Sequence, residues 1–143
     1  MKSIHILLVE DNEGDIMLIK EAFEEAKLAN ELTILKDGEQ AITYLEKKGS
    51  YKEAGVPDLI VLDVNLPRVN GHEVLHFIKY NSKLKHIPVI MLTTSSSNTD
   101  IKLSYDNYVN CYITKPVDVD NFMNAIISIE EFWVHLVKLP INS

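Results

Sequence analysis

A handful of side chains in this sequence could handle a phosphoryl group, and each stands where an apolar run ends. Glu10 and Asp11 follow Ile4 to Val9. Asp63 follows Leu59 to Leu62, Thr93-Thr94 follow Val89 to Leu92, and Lys115-Pro116 follow Cys111 to Thr114. A carboxylate can act as a nucleophile toward phosphorus. A hydroxyl and an ammonium can each take one of the oxygens over which a transferring phosphoryl group spreads its charge. Taken singly these features are ordinary, since acidic residues after strands often solvate loops and Lys-Pro often marks a turn.

Bringing Glu10, Asp11 and Asp63 together has an electrostatic cost. At an effective dielectric of 20, two carboxylates at 4 Å repel by roughly 4 kcal/mol. Such a group needs a cation, protons or a nearby lysine. An all-oxygen ligand set favours Mg²⁺, with Mn²⁺ as substitute. Mg²⁺ typically takes one or two carboxylates and a phosphate, so one carboxylate stays available as nucleophile.

The elements that would have to position these groups are legible in the hydropathy pattern. Five short apolar runs, Ile4 to Val9, Leu32 to Leu35, Leu59 to Leu62, Val89 to Leu92 and Cys111 to Thr114, are mostly continuous. That suits strands buried on both faces of a parallel sheet. Helical stripes lie between them: Ile16, Ile19, Phe23 and Ala26; Ala41, Ile42 and Leu45 after the turn Asp37-Gly38; Val74, Leu75, Phe77 and Ile78; and a weak pair, Ile101 and Tyr105. The last stripe is Phe122, Ile126, Ile129, Trp133 and Leu136, with Asp118 as N-cap and Pro140 near its end. Strand and helix alternate five times, which predicts an α/β fold with right-handed crossovers and helices on both faces. Active sites in such sheets collect beyond the carboxyl ends of the strands, where the order reverses, and in the flavodoxin-like order this is between strands 1 and 3. Those strand ends carry the carboxylates.

The set resembles the CheY-like receiver domains of response regulators over essentially the whole chain. The resemblance rests on Ile6-Leu7-Leu8-Val9-Glu10-Asp11, on Leu59 to Asp63 with Leu66-Pro67 and Gly71, on Pro88 to Thr93, and on Tyr112 to Pro116. It implies a flavodoxin-like (βα)5 fold, a doubly wound parallel sheet of strand order 2-1-3-4-5. It implies Asp63 as phosphoacceptor, and Mg²⁺ held by Glu10, Asp11, Asp63 and the backbone carbonyl of Asn65. Thr93 becomes the switch hydroxyl, Tyr112 the aromatic that follows it inward, and Lys115 the phosphate-binding lysine. Glu10 stands where Asp is also common, which leaves direct and water-mediated metal contact both open. The stretch Glu130 to Pro140 and the long loop before strand 3 resemble the stand-alone regulators paired with phytochrome-type histidine kinases. The implied function is that of a stand-alone response regulator in a two-component phosphorelay. A sensor histidine kinase or a phosphotransfer protein donates from phosphohistidine to Asp63, and the signal passes through protein contact.

Length and composition agree with this reading. The chain has 143 residues, 46% hydrophobic and 24% charged, as expected of one receiver domain over residues 1–143 with a loose tail at about 140–143. A net charge of −7 argues against a nucleic-acid partner. The apolar run after Met1-Lys2-Ser3 is too short for a signal peptide, and no stretch reaches membrane-span length. A cytoplasmic protein is expected. Cys111 reads as a small core residue, and Lys47 to Pro57 as a polar loop.

Several features compete with this reading. His72-Glu73-Val74-Leu75-His76 spells the H-E-x-x-H of zinc proteases. At 100° per residue the buried face is Val74, Leu75, Phe77 and Ile78, which sends His72, His76 and Lys79 to solvent, with no further domain to supply a third ligand. His5, His86 and His135 are expected at the surface or half-buried. Of Phe132 and Trp133, one fits the last helix's core stripe. The other leaves core packing and a homodimer contact through the C-terminal helix region both open. An aspartyl-nucleophile phosphatase would carry a second Asp two residues after the first, where this chain has Asn65. A phosphorylation-independent adaptor would not need the complete set of acids, hydroxyl and lysine.

Overall fold

The computed structural model describes residues 4–26, 31–94, 102, 106, 108, 109, 111–115, 118 and 120–124. Five parallel strands form one sheet: β1 (His5–Val9), β2 (Glu31–Leu35), β3 (Leu59–Asp63), β4 (Val89–Thr93) and β5 (Cys111–Thr114), in the order β2-β1-β3-β4-β5. Helices α1 (Glu13–Ala26), α2 (Gly38–Leu45) and α3 (Gly71–Lys79) connect them. Lys102 and Asp106 are helical, as are residues 120–124. Strand order and strand positions are as expected, with bounds differing by at most one residue.

Alternation along each strand divides the core in two. Ile6, Leu8, Val61, Ile90 and Leu92 face α1, packing on Ile16, Ile19, Phe23 and Phe122. Leu7, Val9, Ile60, Leu62 and Met91 face α2 and α3, packing on Ala41, Leu45, Val74, Leu75 and Ile78. Both faces are covered, so β1, β3 and β4 are buried at every position and read as unbroken apolar runs. The edge strands differ. Cys111, Tyr112 and Ile113 are only half-buried and Thr114 is exposed, because β5 has a neighbour on one side only.

Three expectations are corrected. His5 is buried, beyond the surface or half-buried place expected of it: its Nε2 lies 3.0 Å from Thr33 Oγ1 and 3.2 Å from the Tyr44 hydroxyl. Lys79 is half-buried rather than solvated, and His72 is half-buried as well. The Lys79 ammonium donates to the carbonyls of Ile87 (2.7 Å) and Lys85 (3.3 Å), because the chain between α3 and β4 folds back over that end of the helix. Burial lowers its pKa to about 8. The loop at 47–57 is also less uniformly polar than expected. It holds a 3₁₀ turn at Gly49–Tyr51, Tyr51 packs edge-on to Tyr44, and Pro57 is buried.

Asp118 caps the final helix, accepting the Asn121 N–H at 3.1 Å, and Phe122 enters the core fully buried. The Ile101–Tyr105 stripe, the continuation from Ile126 to Leu136, Phe132, Trp133, His135, Pro140 and the tail lie outside the described residues.

Candidate functional site

The register of the parallel strands brings their carboxyl ends level. Val9 pairs with Leu62 and with Leu35, Asp63 with Leu92, and Thr93 with Thr114. Glu10 and Asp63 therefore share one layer, with Thr93 one residue and Lys115 two residues further along. Glu10 and Asp63 are 0% and 3% exposed, and Thr93 is fully buried. Asp11 is exposed. Glu10, Asp11 and Asp63 can each present an oxygen within 4.8 Å of the others. Among the described residues, this is the one group of three or more potential ligands so placed.

Lys115 closes the cluster. Its Nζ lies 2.6 Å from Glu10 Oε1, 2.9 Å from Asp15 Oδ2 and 3.4 Å from Asp63 Oδ2, and its side chain is 8% exposed. Its backbone N–H donates to the Thr93 carbonyl at 2.6 Å, tying the lysine to the end of β4. Burial opposes the charge on Lys115. The bonds to Glu10 and Asp15 and the charge of Asp63 outweigh it, and the lysine pKa rises. Burial dominates at Glu10 and pushes its carboxyl to about 7. The bonds from Lys115 and from the Asn12 N–H act in the opposite direction, and Asp63 adds to the rise. The repulsion expected from sequence is thus met both by a lysine and by a proton held more tightly than usual.

Local chemistry fixes each arm. Asn12 caps α1, its Oδ1 accepting the Asp15 N–H at 2.9 Å, while Glu10 Oε2 accepts the Asn12 N–H at 3.1 Å. This turn holds Glu10 inward and sets Asp15 in the first turn of α1, where a negative charge suits the helix dipole. The Asn65 N–H donates to Asp63 Oδ1 at 3.3 Å, so the loop after β3 curls over the phosphoacceptor candidate. Two glycines let it approach. A Cβ on Gly71 would lie 2.2 Å from the Asp63 carbonyl oxygen, and one on Gly38 would lie 1.8 Å from that of Val69. Asn70 then starts α3, accepting the Glu73 N–H at 3.0 Å.

Tyr112 is half-buried against the α2–α3 side of the core. Sequence reasoning missed Asp15 and took Gly38 only as part of a turn. The one signal for Asp15 was its spacing, a helical turn after Asp11. The zinc-protease motif builds nothing comparable. His76 is exposed and stacks on Tyr80 at 4.3 Å between ring centres, whereas the ring nitrogens of His72 are shielded from solvent.

The family model described as "Response regulator receiver domain" matches residues 6–127. The chain belongs to the response regulator receiver family. The receiver is 44% identical over 135 residues to the response regulator Rcp1 of Synechocystis sp., covering 94% of this chain and 92% of that protein. It superposes on the phosphorylated cyanobacterial phytochrome response regulator RcpA with a TM-score of 0.81 and 46% identity, over 93% of this chain and 95% of the other. The Mn²⁺-bound form of Rcp1 gives 0.80 and 42%, over 93% and 96%. Both the fold and the family inferred from the motifs stand. No helix among the described residues is long and apolar enough to cross a membrane.

Proposed function

We propose that this receiver works as a response regulator that accepts a phosphoryl group on Asp63. The donor is the phosphohistidine of a sensor histidine kinase, of the phytochrome type, or of a phosphotransfer protein. The observation that carries this reading is a nearly inaccessible carboxylate, Asp63, with a buried ammonium 3.4 Å away and two further acids within 4.8 Å. The phytochrome assignment is supported by the naming of RcpA as a phytochrome response regulator.

The residues fit a divalent cation, since Glu10, Asp11 and Asp63 form an oxygen set of the right hardness. Mg²⁺, or Mn²⁺ in its place, would be held by these three with the Asn65 carbonyl, and would supply positive charge to the phosphoryl oxygens. A carboxylate oxygen of Asp63 attacks phosphorus, the P–N bond to the donor imidazole breaks, and the electron pair leaves on nitrogen. Lys115 turns its ammonium from the Asp63 carboxylate to a phosphoryl oxygen, and the Thr93 hydroxyl takes another. Thr93 leaves its resting position in doing so, and Tyr112 follows it inward. This changes the surface that a partner reads. Water later attacks phosphorus, the P–O bond to Asp63 breaks, and inorganic phosphate leaves with Asp63 restored as a carboxylate.

Intact-protein mass spectrometry after incubation with Mg²⁺ and acetyl phosphate tests the reading. One phosphoryl group should add to the wild type and none to Asp63→Asn. No gain by the wild type, or equal gain by the variant, defeats it.

A further inference from the structure

Glu10 has two claims on it. Both of its oxygens are engaged, Oε1 by the Lys115 ammonium at 2.6 Å and Oε2 by the Asn12 N–H at 3.1 Å. A cation taking Glu10, Asp11 and Asp63 must draw electron density that Lys115 now uses on two of them. Lys115 cannot turn to bulk water for compensation, because its side chain is 8% exposed. An ammonium has three donors, and the third carboxylate in reach is Asp15, at 2.9 Å.

Asp15 differs from the other two partners in origin. It projects from the first turn of α1 rather than from a strand end, and it is not one of the three acids that converge within 4.8 Å. Its side chain is 25% exposed, so its charge costs less to maintain than that of Glu10. We propose that Asp15 is a positioning residue. It holds the Lys115 ammonium when a divalent cation takes Glu10, and by doing so it sets the affinity of the site for that cation. Without Asp15, Lys115 has two carboxylates to choose from. Both are cation ligands, so the ammonium competes with the cation more strongly. This inference rests on the proposed cation ligands but not on phosphorylation.

A double-mutant cycle on the full chain tests it, with Mn²⁺ alone as probe and no phosphodonor. Free Mn²⁺ is read by electron paramagnetic resonance at pH 8. Asp15→Asn should weaken Mn²⁺ binding about fivefold in the wild-type background, within the usual range for residues that share a partner. In the Lys115→Met background, or in Lys115→Gln if the methionine variant does not fold, Asp15→Asn should change the affinity by less than about a factor of two. Asp15→Glu should restore part of the loss. A merely structural Asp15 would lower stability and leave Mn²⁺ affinity unmoved. Simple removal of a nearby negative charge would weaken binding equally in both backgrounds. Either of these results overturns the proposal, as does a wild type that binds no Mn²⁺. Failure of Asp63 to take phosphate would defeat the functional reading and leave this cycle standing.

Discussion

Replacing Glu10 by Gln should make the metal-free receiver more stable at neutral pH and no more stable in acid. Glu10 is fully buried, and burial raises its carboxyl from an ordinary 4.5 to about 7. The folded chain keeps that proton up to about pH 7, whereas the unfolded chain releases it near 4.5. The stability linked to Glu10 is therefore complete below pH 4.5, falls as pH rises to 7, and is level above. The gap corresponds to about 3 kcal/mol. A glutamine keeps an oxygen for the Lys115 ammonium, now 2.6 Å from Glu10 Oε1, and has no proton to lose. Urea unfolding in EDTA at steps from pH 4.5 to 8.5 reads the difference, because titrations common to both proteins cancel. Equal midpoints are expected in acid. By pH 8 the variant should lead by about 2–3 kcal/mol. Mg²⁺ at a hundred times its Kd should then return about 2.7 kcal/mol to the wild type, and much less to the variant. Parallel pH curves for the two proteins would refute the reasoning, since Glu10 would then ionise as easily folded as unfolded.

Two further outcomes follow from packing. Gly71→Ala should cost about 2 kcal/mol or more and slow phosphorylation by acetyl phosphate, because the new Cβ would lie 2.2 Å from the Asp63 carbonyl oxygen and 2.7 Å from Val64 Cα. Relaxing that contact moves the backbone of Asp63, the proposed phosphoacceptor, so an unchanged melting temperature with an unchanged rate contradicts the loop geometry. Phe122→Ala should cost about 3–4 kcal/mol in urea unfolding, since Phe122 is fully buried and meets Phe23 edge-to-face at 5.7 Å. A loss below about 1 kcal/mol would mean that the segment capped by Asp118 does not seal the α1 face of the sheet.

The strand-end residues were legible in the sequence for a physical reason. In a parallel sheet covered on both faces, the apolar run lasts as long as the strand packs between helices, so the first polar residue after each run lies at the carboxyl edge of the sheet. Glu10, Asp63 and Lys115 each hold that position, and Thr93 is the last residue of its strand. Registers that step by one residue from β3 to Thr93 and by one more to Lys115 then bring them together. Helix-borne features were harder to see. A helical wheel gives the angle of a side chain about its own axis and says nothing of what a later loop lays over it. For that reason Lys79 was expected in water, yet it donates to the carbonyls of Ile87 and Lys85. His5 failed differently. Its partners Thr33 and Tyr44 come from β2 and α2, and no local pattern announces a buried histidine satisfied across three elements.

Asp15 shows how far pattern reading extends. By type and position it is an ordinary helix-start acid, favourable through the helix dipole alone, and nothing in the spacing links it to a lysine 100 residues away. The link exists because Glu10, drawn inward by the Asn12 turn, is too deeply buried to stay ionised cheaply. A fold chosen only for stability would place Gln or an apolar residue there. This chain keeps a carboxyl whose proton affinity is raised to about 7, and sets beside it an ammonium shared with Asp63 and Asp15. Local violations of this kind collect where a protein does chemistry. Here the strain has a defined release. A divalent cation would take the place of a proton on Glu10, and the ammonium it displaces would have Asp15 to rest on. The cost of burying Glu10 and the presence of Asp15 are then two parts of one exchange. Metal affinity and metal-free stability should therefore move in opposite directions when Glu10 is changed.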